Sequence, residues 1–240
     1  MRISQSPRFL SDVIREVQSG RAVPAAMQRG YVWTEKDVLD FCQSVSDRFP
    51  IGSIMTWSPP TSADLEAVGR TRIGPIKAGL EHPRQSLILD GQNRLATLAW
   101  MLSDDPDNET VLDLSEQERS VWQSGKKLVL DHDARGFCFV PSAEADMGLR
   151  LPARALFSDA MLILRTHWSR WDKEGFSEQD IDSMIKLWER ASDGLREVQV
   201  IETNLSGASP EEAKSAFLRI CKAGVPMDEK DFEAAMEWVS

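Results

Sequence analysis

The fold of this chain is decided by the stretch SLILDGQNRLATLAWML, residues 86–102. Its first four residues form a continuous apolar run, which is typical of a buried β-strand. Asp90-Gly91 then leads directly into a segment with apolar residues at helical spacing. The positions expected to face inward are Leu95, Leu98, Ala99 and Leu102. A strand, a tight turn and a helix in immediate succession predict a sheet with helices packed against it, an α/β or α+β fold.

The turn within this stretch carries residues suited to binding a phosphate group. Gly91 lets the backbone approach a ligand closely. The first helical turn, with Gln92 and Asn93, presents unpaired N–H groups and a partial positive charge. Arg94 adds a forked cation that matches phosphate oxygens, and Asp90 could hold Mg²⁺ or orient water. The residues alone leave open a second interpretation, in which Asp90 only caps the helix and Arg94 is only solvated.

A second polar and aromatic segment lies just before a predicted helix. Its residues of interest are Gln28, Arg29, Tyr31 and Trp33. Thr34 is expected to cap the helix with Asp37 three residues later. Trp33 occupies the position of a hydrophobic staple, which predicts packing in the core. Gln28 and Arg29 fit an ordinary polar turn as well as they fit ligand binding.

Helices and strands interleave along the rest of the chain, and helices dominate towards its end. Ser6-Pro7 is typical of a helix start, and Gly20 of a helix end. Strands are predicted at 22–24, 53–57, 86–89, 127–130, 137–140 and 198–202. Further helix starts are predicted at Ser115, Ser177, Ser209 and Asp228. We expect one domain over 1–240, with a helical subdomain at 151–195 and a long loop over 58–84 that holds a short strand near 73–76.

Composition excludes several classes of protein. The 240 residues are 42% hydrophobic, an ordinary globular value, and carry a net charge of −10. Such a charge gives no general attraction to nucleic acid or anionic lipid. Contact with DNA would require a local basic loop, for which the candidates are Arg70, Arg72, Lys77 and Arg84. With no apolar leader, no membrane-length apolar run and three widely separated cysteines, we expect a cytoplasmic protein that does not enter membranes.

Four segments occur in a fixed order that is specific as a set. They are VPAAMQRGYVW (23–33), FPIGSIMTW (49–57), LILDGQNRLATL (87–98) and FLRICKAGVPMDEKDFEAAM (217–236). Together they resemble the N-terminal domain of the GmrSD-type restriction endonucleases, in the ParB/sulfiredoxin-like superfamily. The resemblance spans nearly the whole chain. It implies a ParB-like α/β core with a mainly helical C-terminal part.

The motifs of that family can be placed on this sequence residue by residue. The D-G-Q-Q-R signature falls on residues 90–94, with Asn93 in place of the second Gln. The P-x-x-Q-R-x-Y-x-W element is loosely matched, with one extra residue before Gln28, by Pro24, Gln28, Arg29, Tyr31 and Trp33. The F-x-R-I-N-x-x-G element falls on Phe217, Arg219, Ile220 and Gly224, with Cys221 in place of Asn.

The resemblance implies Mg²⁺-dependent binding and hydrolysis of a nucleoside triphosphate in a bacterial restriction or anti-phage defence system. Catalytic roles fall on Asp90, Gln92 and Arg94, with Asp90 also as the metal ligand. Phosphate-binding roles fall on Gln28, Arg29, Gly91, Asn93 and Arg94.

Two alternatives stay open. The first is a non-catalytic subunit that senses a nucleotide or DNA and regulates a separately encoded nuclease. The substitutions at Asn93 and Cys221 favour it, and longer relatives carry a C-terminal HNH-type nuclease domain. The second is direct DNA cleavage by this domain through the basic loop, against which the net charge of −10 weighs.

Overall fold

The computed structural model describes residues 1–26, 30–60, 71–77 and 85–223. The chain divides into two compact units. The first consists of 1–32, 52–99 and 199–240, and the second of 33–51 and 100–198. Several predicted features lie outside the described residues: Gln28, Arg29, Arg70, Arg84, the side chain of Cys221, Gly224 and the helix expected from Asp228. Among the helices that are described, none combines the length and apolar character needed to span a bilayer.

The helices and strands alternate along the chain as follows. The strands are β1 (Arg2–Phe9), β2 (Ala22–Pro24), β3 (Ser53–Ser58), β4 (Arg72–Ile73), β5 (Ile76–Lys77), β6 (Ser86–Asp90), β7 (Lys126–Asp131), β8 (Gly136–Pro141), β9 (Arg150–Pro152) and β10 (Gln199–Ser206). The helices are α1 (Leu10–Gln18), α2 (Glu35–Ser46), α3 (Gln92–Met101), α4 (Glu116–Trp122), α5 (Ala160–Lys173), α6 (Glu178–Glu197) and α7 (Pro210–Ala223).

The first unit is built on a mixed five-stranded sheet in the order β1-β10-β3-β6-β2. The β1/β10 and β3/β6 pairs are antiparallel, whereas β10/β3 and β6/β2 are parallel. A mixed sheet with helices confirms the predicted α/β (α+β) fold class. The ParB/sulfiredoxin-like core stays a prediction, as do the single domain over 1–240 and the helical subdomain at 151–195.

One face of this sheet packs against α7 and forms the core of the first unit. Trp57 is completely buried, and its Nε1 donates to the Ala208 carbonyl at 3.1 Å. Phe217 of α7 packs into the same cluster. The buried sheet residues of the cluster are Val23, Met55, Trp57, Leu87, Leu89 and Leu205. The central strands β3 and β6 are thus held firmly at the point where β6 ends in Asp90.

The predicted helix start at Ser6-Pro7 is wrong. Residues 2–9 form β1, and α1 begins only at Leu10. Pro7 pairs in register with Ile201 at the edge of the sheet, where a residue without a backbone donor is tolerated. The helical stripe itself was predicted correctly, since α1 buries Leu10, Val13, Ile14 and Val17.

The second unit combines a three-stranded antiparallel sheet, β8-β7-β9, with α2, α4, α5 and α6. The predicted hairpin is confirmed as β7 and β8. The predicted capping pair Thr34/Asp37 is present as a reciprocal capping box. Trp33 is partly buried and lies with its ring 5.3 Å from that of Phe41, in agreement with its predicted packing role.

Two further helix starts in the second unit have the capping residues that the sequence predicts. Ser177 and Asp180 form a second capping box at the start of α6, as predicted. At the start of α4, Ser115 accepts from the Glu118 backbone N–H, also as predicted. The Glu118 carboxylate, however, is buried and accepts a hydrogen bond from Trp100 Nε1 at 2.9 Å. This bond joins parts of the chain that a local capping pattern does not connect.

Candidate functional site

The predicted strand–turn–helix junction is present between β6 and α3. β6 ends at Asp90, Gly91 adopts a φ of +97°, and α3 begins at Gln92. The first bond of the helix runs from the Leu95 N–H to the Gly91 carbonyl at 3.1 Å. The backbone N–H groups of the preceding helical residues therefore belong to the open first turn, where an anion is favoured.

Two glycines from different segments make room for the Arg94 side chain. A Cβ on Gly91 would lie 2.8 Å from Ile54 Cγ2 and 3.3 Å from Arg94 Nη2. A Cβ on Gly52, which has a φ of +86°, would lie only 2.5 Å from Arg94 Nη1. Both positions thus need glycine for its left-handed backbone and for the missing side chain. We call Gly52, Gly91 and the guanidinium between them the glycine cradle.

The guanidinium of Arg94 is fixed rather than solvated. Its side chain is 17% exposed, its Nη2 donates to the Ser53 carbonyl at 2.5 Å, and the same nitrogen lies 3.5 Å from Asp90 Oδ2. Burial lowers the pKa of Arg94, and the negative charge of Asp90 opposes that shift. Arginine remains protonated in proteins, so the junction holds a permanent, partly desolvated cation. This excludes the interpretation in which Arg94 is only solvated.

The side chains of Asp90 and Gln92 differ in how far they are engaged. Asp90 is 49% exposed beside Arg94, so its carboxylate can reach a ligand or an ion. Gln92 Oε1 is buried and finds no hydrogen-bond partner among the described residues. A buried acceptor without a partner is costly and signals a missing donor. Rotation of the Gln92 amide would offer N–H donors at the same place.

Asn93 connects α3 to the segment that contains Tyr31. Its Oδ1 accepts a hydrogen bond from the Val32 N–H at 3.1 Å. One turn further along α3, the Thr97 hydroxyl bonds to the Tyr31 hydroxyl at 2.8 Å, and both side chains are buried. The sequence singled out Tyr31 without assigning it a partner. The structure makes it an anchor for the end of the predicted ligand-binding segment.

The other end of that segment is anchored as well. β2 pairs with β6, and the Ala25 N–H donates to the Ile88 carbonyl at 3.1 Å. The segment is therefore hydrogen-bonded to β6 at Ala25 and to α3 at Tyr31. Gln28 and Arg29 lie between these two attachment points and outside the described residues, so their place in the site stays a prediction.

A polar network on β1, β3 and β10 was missed by the sequence analysis. Glu202 accepts from Thr56 Oγ1 at 2.6 Å and from Arg8 Nη1 at 2.7 Å. Asn204 Nδ2 donates to the same Thr56 hydroxyl at 2.8 Å. These contacts join residues that are 146 and more positions apart, so no local pattern could reveal them. Because Arg8 and Thr56 already engage both oxygens of Glu202, this carboxylate is less open to a ligand than Asp90.

Two members of the predicted basic loop are described. Arg72 and Lys77 are register partners across β4 and β5. Arg72 Nη1 donates to the Gly74 carbonyl at 3.2 Å. The two cations therefore project from one small hairpin of the first unit, and the contribution of the other two loop residues stays a prediction.

Comparison with known proteins agrees with the resemblance found in the sequence. A family model described as the GmrSD restriction endonuclease, N-terminal domain, matches residues 10–235. A curated relative, the uncharacterized protein MJ0686 of Methanocaldococcus jannaschii, is 28% identical over 106 residues. That alignment covers 42% of this chain and 18% of the relative, so this chain spans only a small part of that protein's length. Because the family match extends over most of its length, the chain belongs to the family of GmrSD restriction endonuclease N-terminal domains.

Proposed function

We propose that this chain binds and hydrolyses a nucleoside triphosphate with Mg²⁺ as part of a bacterial restriction or anti-phage defence system. The family supports the restriction context. The observation that carries the chemistry is the glycine cradle, which holds the Arg94 guanidinium at the start of α3 beside Asp90.

The cradle suits a phosphate group for electrostatic reasons. Burial lowers the pKa of Arg94 although Asp90 stands next to it, which means that the charged form would gain from a further anion. The open first turn of α3 adds N–H donors and a partial positive charge at the same end. Phosphate oxygens at this junction would therefore contact the backbone of Gln92 and Asn93 and the cation of Arg94.

The residues fit Mg²⁺ only together with a triphosphate. The described parts of the chain contain no group of three or more His, Cys, Asp or Glu that could hold a metal. Mg²⁺ is commonly held by one or two carboxylates, water and substrate phosphates. Asp90, half-exposed at the junction, would supply the protein carboxylate of such a site. The ion would neutralise charge on the phosphates.

The remaining residues would act by position. Asp90 and Gln92 would orient a water towards the terminal phosphorus, and Gln28 and Arg29 would close over the triphosphate. Phosphoryl transfer needs mainly such positioning and charge stabilisation, so these few polar groups would suffice.

One contact favours the second candidate, a sensing subunit with little turnover. The Asn93 carbonyl is engaged by the Val32 N–H, which ties the amide to the fold. A site built in this way could report bound nucleotide through the segment around Tyr31 and regulate a separately encoded nuclease. Contact with DNA through Arg72 and Lys77 and direct cleavage of DNA remain the third candidate.

Phosphate release and nucleotide binding, measured for each triphosphate with and without Mg²⁺, distinguish these candidates. Asp90→Asn should abolish the effect of Mg²⁺ on binding. Asp12→Asn is the matched control, because Asp12 is 47% exposed and, like Asp90, pairs with a nearby arginine, in this case Arg15. Arg94→Lys keeps the positive charge but loses the planar guanidinium, which can donate two parallel hydrogen bonds to a phosphate. This variant should weaken triphosphate binding by about tenfold or more.

The outcomes are distinct. Phosphate release by the wild type that Asp90→Asn removes and Asp12→Asn retains supports hydrolysis. Binding without release in every variant supports the sensing subunit. A wild-type chain that binds no triphosphate contradicts both the hydrolysis and the sensing candidates. Cleavage of DNA by protein that has been freed of contaminating nucleases and metals would favour the third candidate.

A further inference from the structure

Strand β1 lies at one end of the five-stranded sheet of the first unit. It pairs with β10 on one side, and no other described strand pairs with it on the other. Its register with β10 runs without a break from Arg2 to Phe9, and every residue of it except Arg8 is exposed. A long, regular edge strand presents unpaired backbone groups, and the occupant that such an edge selects is another extended strand.

Pro7 indicates which backbone groups of β1 face outward. Proline occurs in edge strands with the side that lacks the N–H towards solvent. Pro7 keeps its place in the register, opposite Ile201. Because alternate residues of an antiparallel strand direct their backbone groups to opposite sides, the N–H groups of Ile3, Gln5 and Phe9 also face outward. These are the donors that an added strand would use.

The same edge exposes apolar side chains on one face of the sheet. Ile3 is 56% exposed, Phe9 45%, and Ile201 on the neighbouring strand 47%. Ile3 is the register partner of Leu205, which belongs to the core beneath α7, so these side chains lie on the face that α7 covers further along the sheet. A sheet that continued past β1 would cover them.

The charge on β1 that would deter an added strand is neutralised within its own copy. Charged side chains commonly protect edge strands from pairing. The guanidinium of Arg8, however, lies 2.7 Å from the Glu202 carboxylate and 2.9 Å from that of Glu16. Arg8 is therefore held against its own sheet and helix, and does not block the edge.

The edge of a second copy matches this edge in an antiparallel register. Two identical edges related by a two-fold axis perpendicular to the sheet meet antiparallel, and outward-facing residues must oppose outward-facing residues. One such register places Ile3 opposite Phe9 of the other copy, an apolar pair that occurs twice. It also places Gln5 opposite Pro7, whose carbonyl can accept, and Ser6 opposite Ser6 at the axis.

The neighbouring registers are less favourable. A shift that pairs Gln5 with Gln5 places Arg2 opposite Arg8, and like charges directly opposite each other destabilise a sheet. A shift in the other direction pairs Pro7 with Pro7, where neither copy has a backbone donor. Larger shifts leave an apolar residue at one end of β1 beyond the paired stretch.

We propose that two copies of this chain pair through β1 in the register that joins Ile3 to Phe9, so that their two sheets become one continuous sheet. Each copy donates backbone hydrogen bonds to the other from Ile3, Gln5 and Phe9, and the exposed apolar side chains at the edge are covered. This pairing uses only described residues of the first unit and does not depend on nucleotide binding.

A cysteine placed at the two-fold axis tests the register in the full chain. Ser6 would face Ser6 in a non-hydrogen-bonded pair, with Cα atoms about 4.5 Å apart, which a disulfide can bridge. Ser6→Cys should therefore form a covalent dimer under mild oxidation, seen by non-reducing electrophoresis. Ser4→Cys is the matched control, because Ser4 is also exposed on β1 but would face Arg8 of the other copy. The wild type, with its three native cysteines, gives the background.

Sedimentation over a range of protein concentrations measures the association itself. The wild type should dimerise reversibly, and Ile3→Glu should raise the Kd of the dimer by about tenfold or more, since it places a charge opposite Phe9. Leu112→Glu, at a 75% exposed position of the second unit, should leave the Kd unchanged. Because Ile3 is exposed, Ile3→Glu should retain the fold, which urea unfolding checks.

Three results would overturn the proposal. The first is a wild type that stays monomeric at every concentration up to its solubility limit. The second is a dimer that Ser6→Cys does not cross-link, or that Ser4→Cys cross-links equally well. The third is a monomer that binds a labelled extended peptide of unrelated sequence along β1, which would assign the edge to a strand of another protein.

Discussion

Replacing Gly52 with alanine should displace the Arg94 guanidinium. The new Cβ would lie 2.5 Å from Nη1 and 3.7 Å from Cζ of that side chain. Non-bonded heavy atoms are comfortable at about 3.5 Å or more, so Nη1 must move by about 1 Å. Nη2 is held by the carbonyl of Ser53, the residue next to the substitution, so the side chain cannot move without straining or breaking that bond.

The expected loss of stability in Gly52→Ala has two contributions. An L-residue at a φ of +86° costs about 1–2 kcal/mol. Loss of a hydrogen bond from a charged donor adds about 1.5–3 kcal/mol. Gly52→Ala should therefore lower the free energy of unfolding by about 2.5–5 kcal/mol. Displacing a positioned cation by about 1 Å should also weaken nucleotide binding by at least tenfold.

Gly207→Ala is the matched control within the same unit. Its φ is +62°, also left-handed, but a Cβ there has nothing within 4 Å. This variant should lose only the backbone term, about 1 kcal/mol, and bind nucleotide as the wild type does. Urea titration and a fluorescent triphosphate analogue measure the two quantities. Equal stability loss in both variants, or wild-type nucleotide affinity in Gly52→Ala, would refute the role given to the glycine cradle.

Three other perturbations test separate parts of the structure. Tyr31→Phe leaves the buried Thr97 hydroxyl without this partner and should cost about 1–3 kcal/mol in urea unfolding, whereas the double variant with Thr97→Val should recover part of that loss. Phe217→Ala opens a cavity between α7 and the sheet and should lower the free energy of unfolding by about 3–5 kcal/mol, measured in the same way. For Asp131, burial favours a higher pKa, but the Ala134 N–H and the Arg150 guanidinium outweigh it and lower the pKa. Its contribution to stability is therefore present above the ordinary carboxyl pKa and is lost as the pH falls through the lowered one, so Asp131→Asn should flatten the acid limb of a stability–pH curve.

Each of these three expectations has a result that would contradict it. If Tyr31→Phe and the double variant are equally unstable, the bond to Thr97 is not the source of the loss. If Phe217→Ala melts like the wild type, α7 does not cover the sheet core as described. If Asp131→Asn keeps the full acid dependence, other carboxylates account for it.

Local features of the fold could be predicted from the sequence because neighbouring residues determine them. The β6–α3 junction is one example, since an apolar run, Asp90-Gly91 and a helical stripe follow one another directly. The capping boxes of α2 and α6 are another, because each requires only residues three positions apart.

Features that depend on distant contacts could not be predicted. β1 is polar and mostly exposed and is a strand only because β10 pairs with it almost two hundred residues later. Gly52 approaches Arg94 across 42 positions, and no local motif records that distance. The signal that the sequence offered for Gly52 was its place in the segment FPIGSIMTW. That signal could be interpreted only when the structure placed the Arg94 guanidinium next to Gly52.

The pairing of β1 with β10 has a consequence for how the protein is made. A ribosome releases residues 2–9 long before residues 199–206, so the first strand must wait, unpaired, until nearly the whole sheet has been translated. During that interval β3 also lacks its neighbour on that side. Late closure of this kind slows folding and leaves open strand edges that chaperones or aggregation can capture. Chains interrupted before residue 199 would lack β10, the strand between β1 and β3, and should therefore be cleared rapidly by proteolysis.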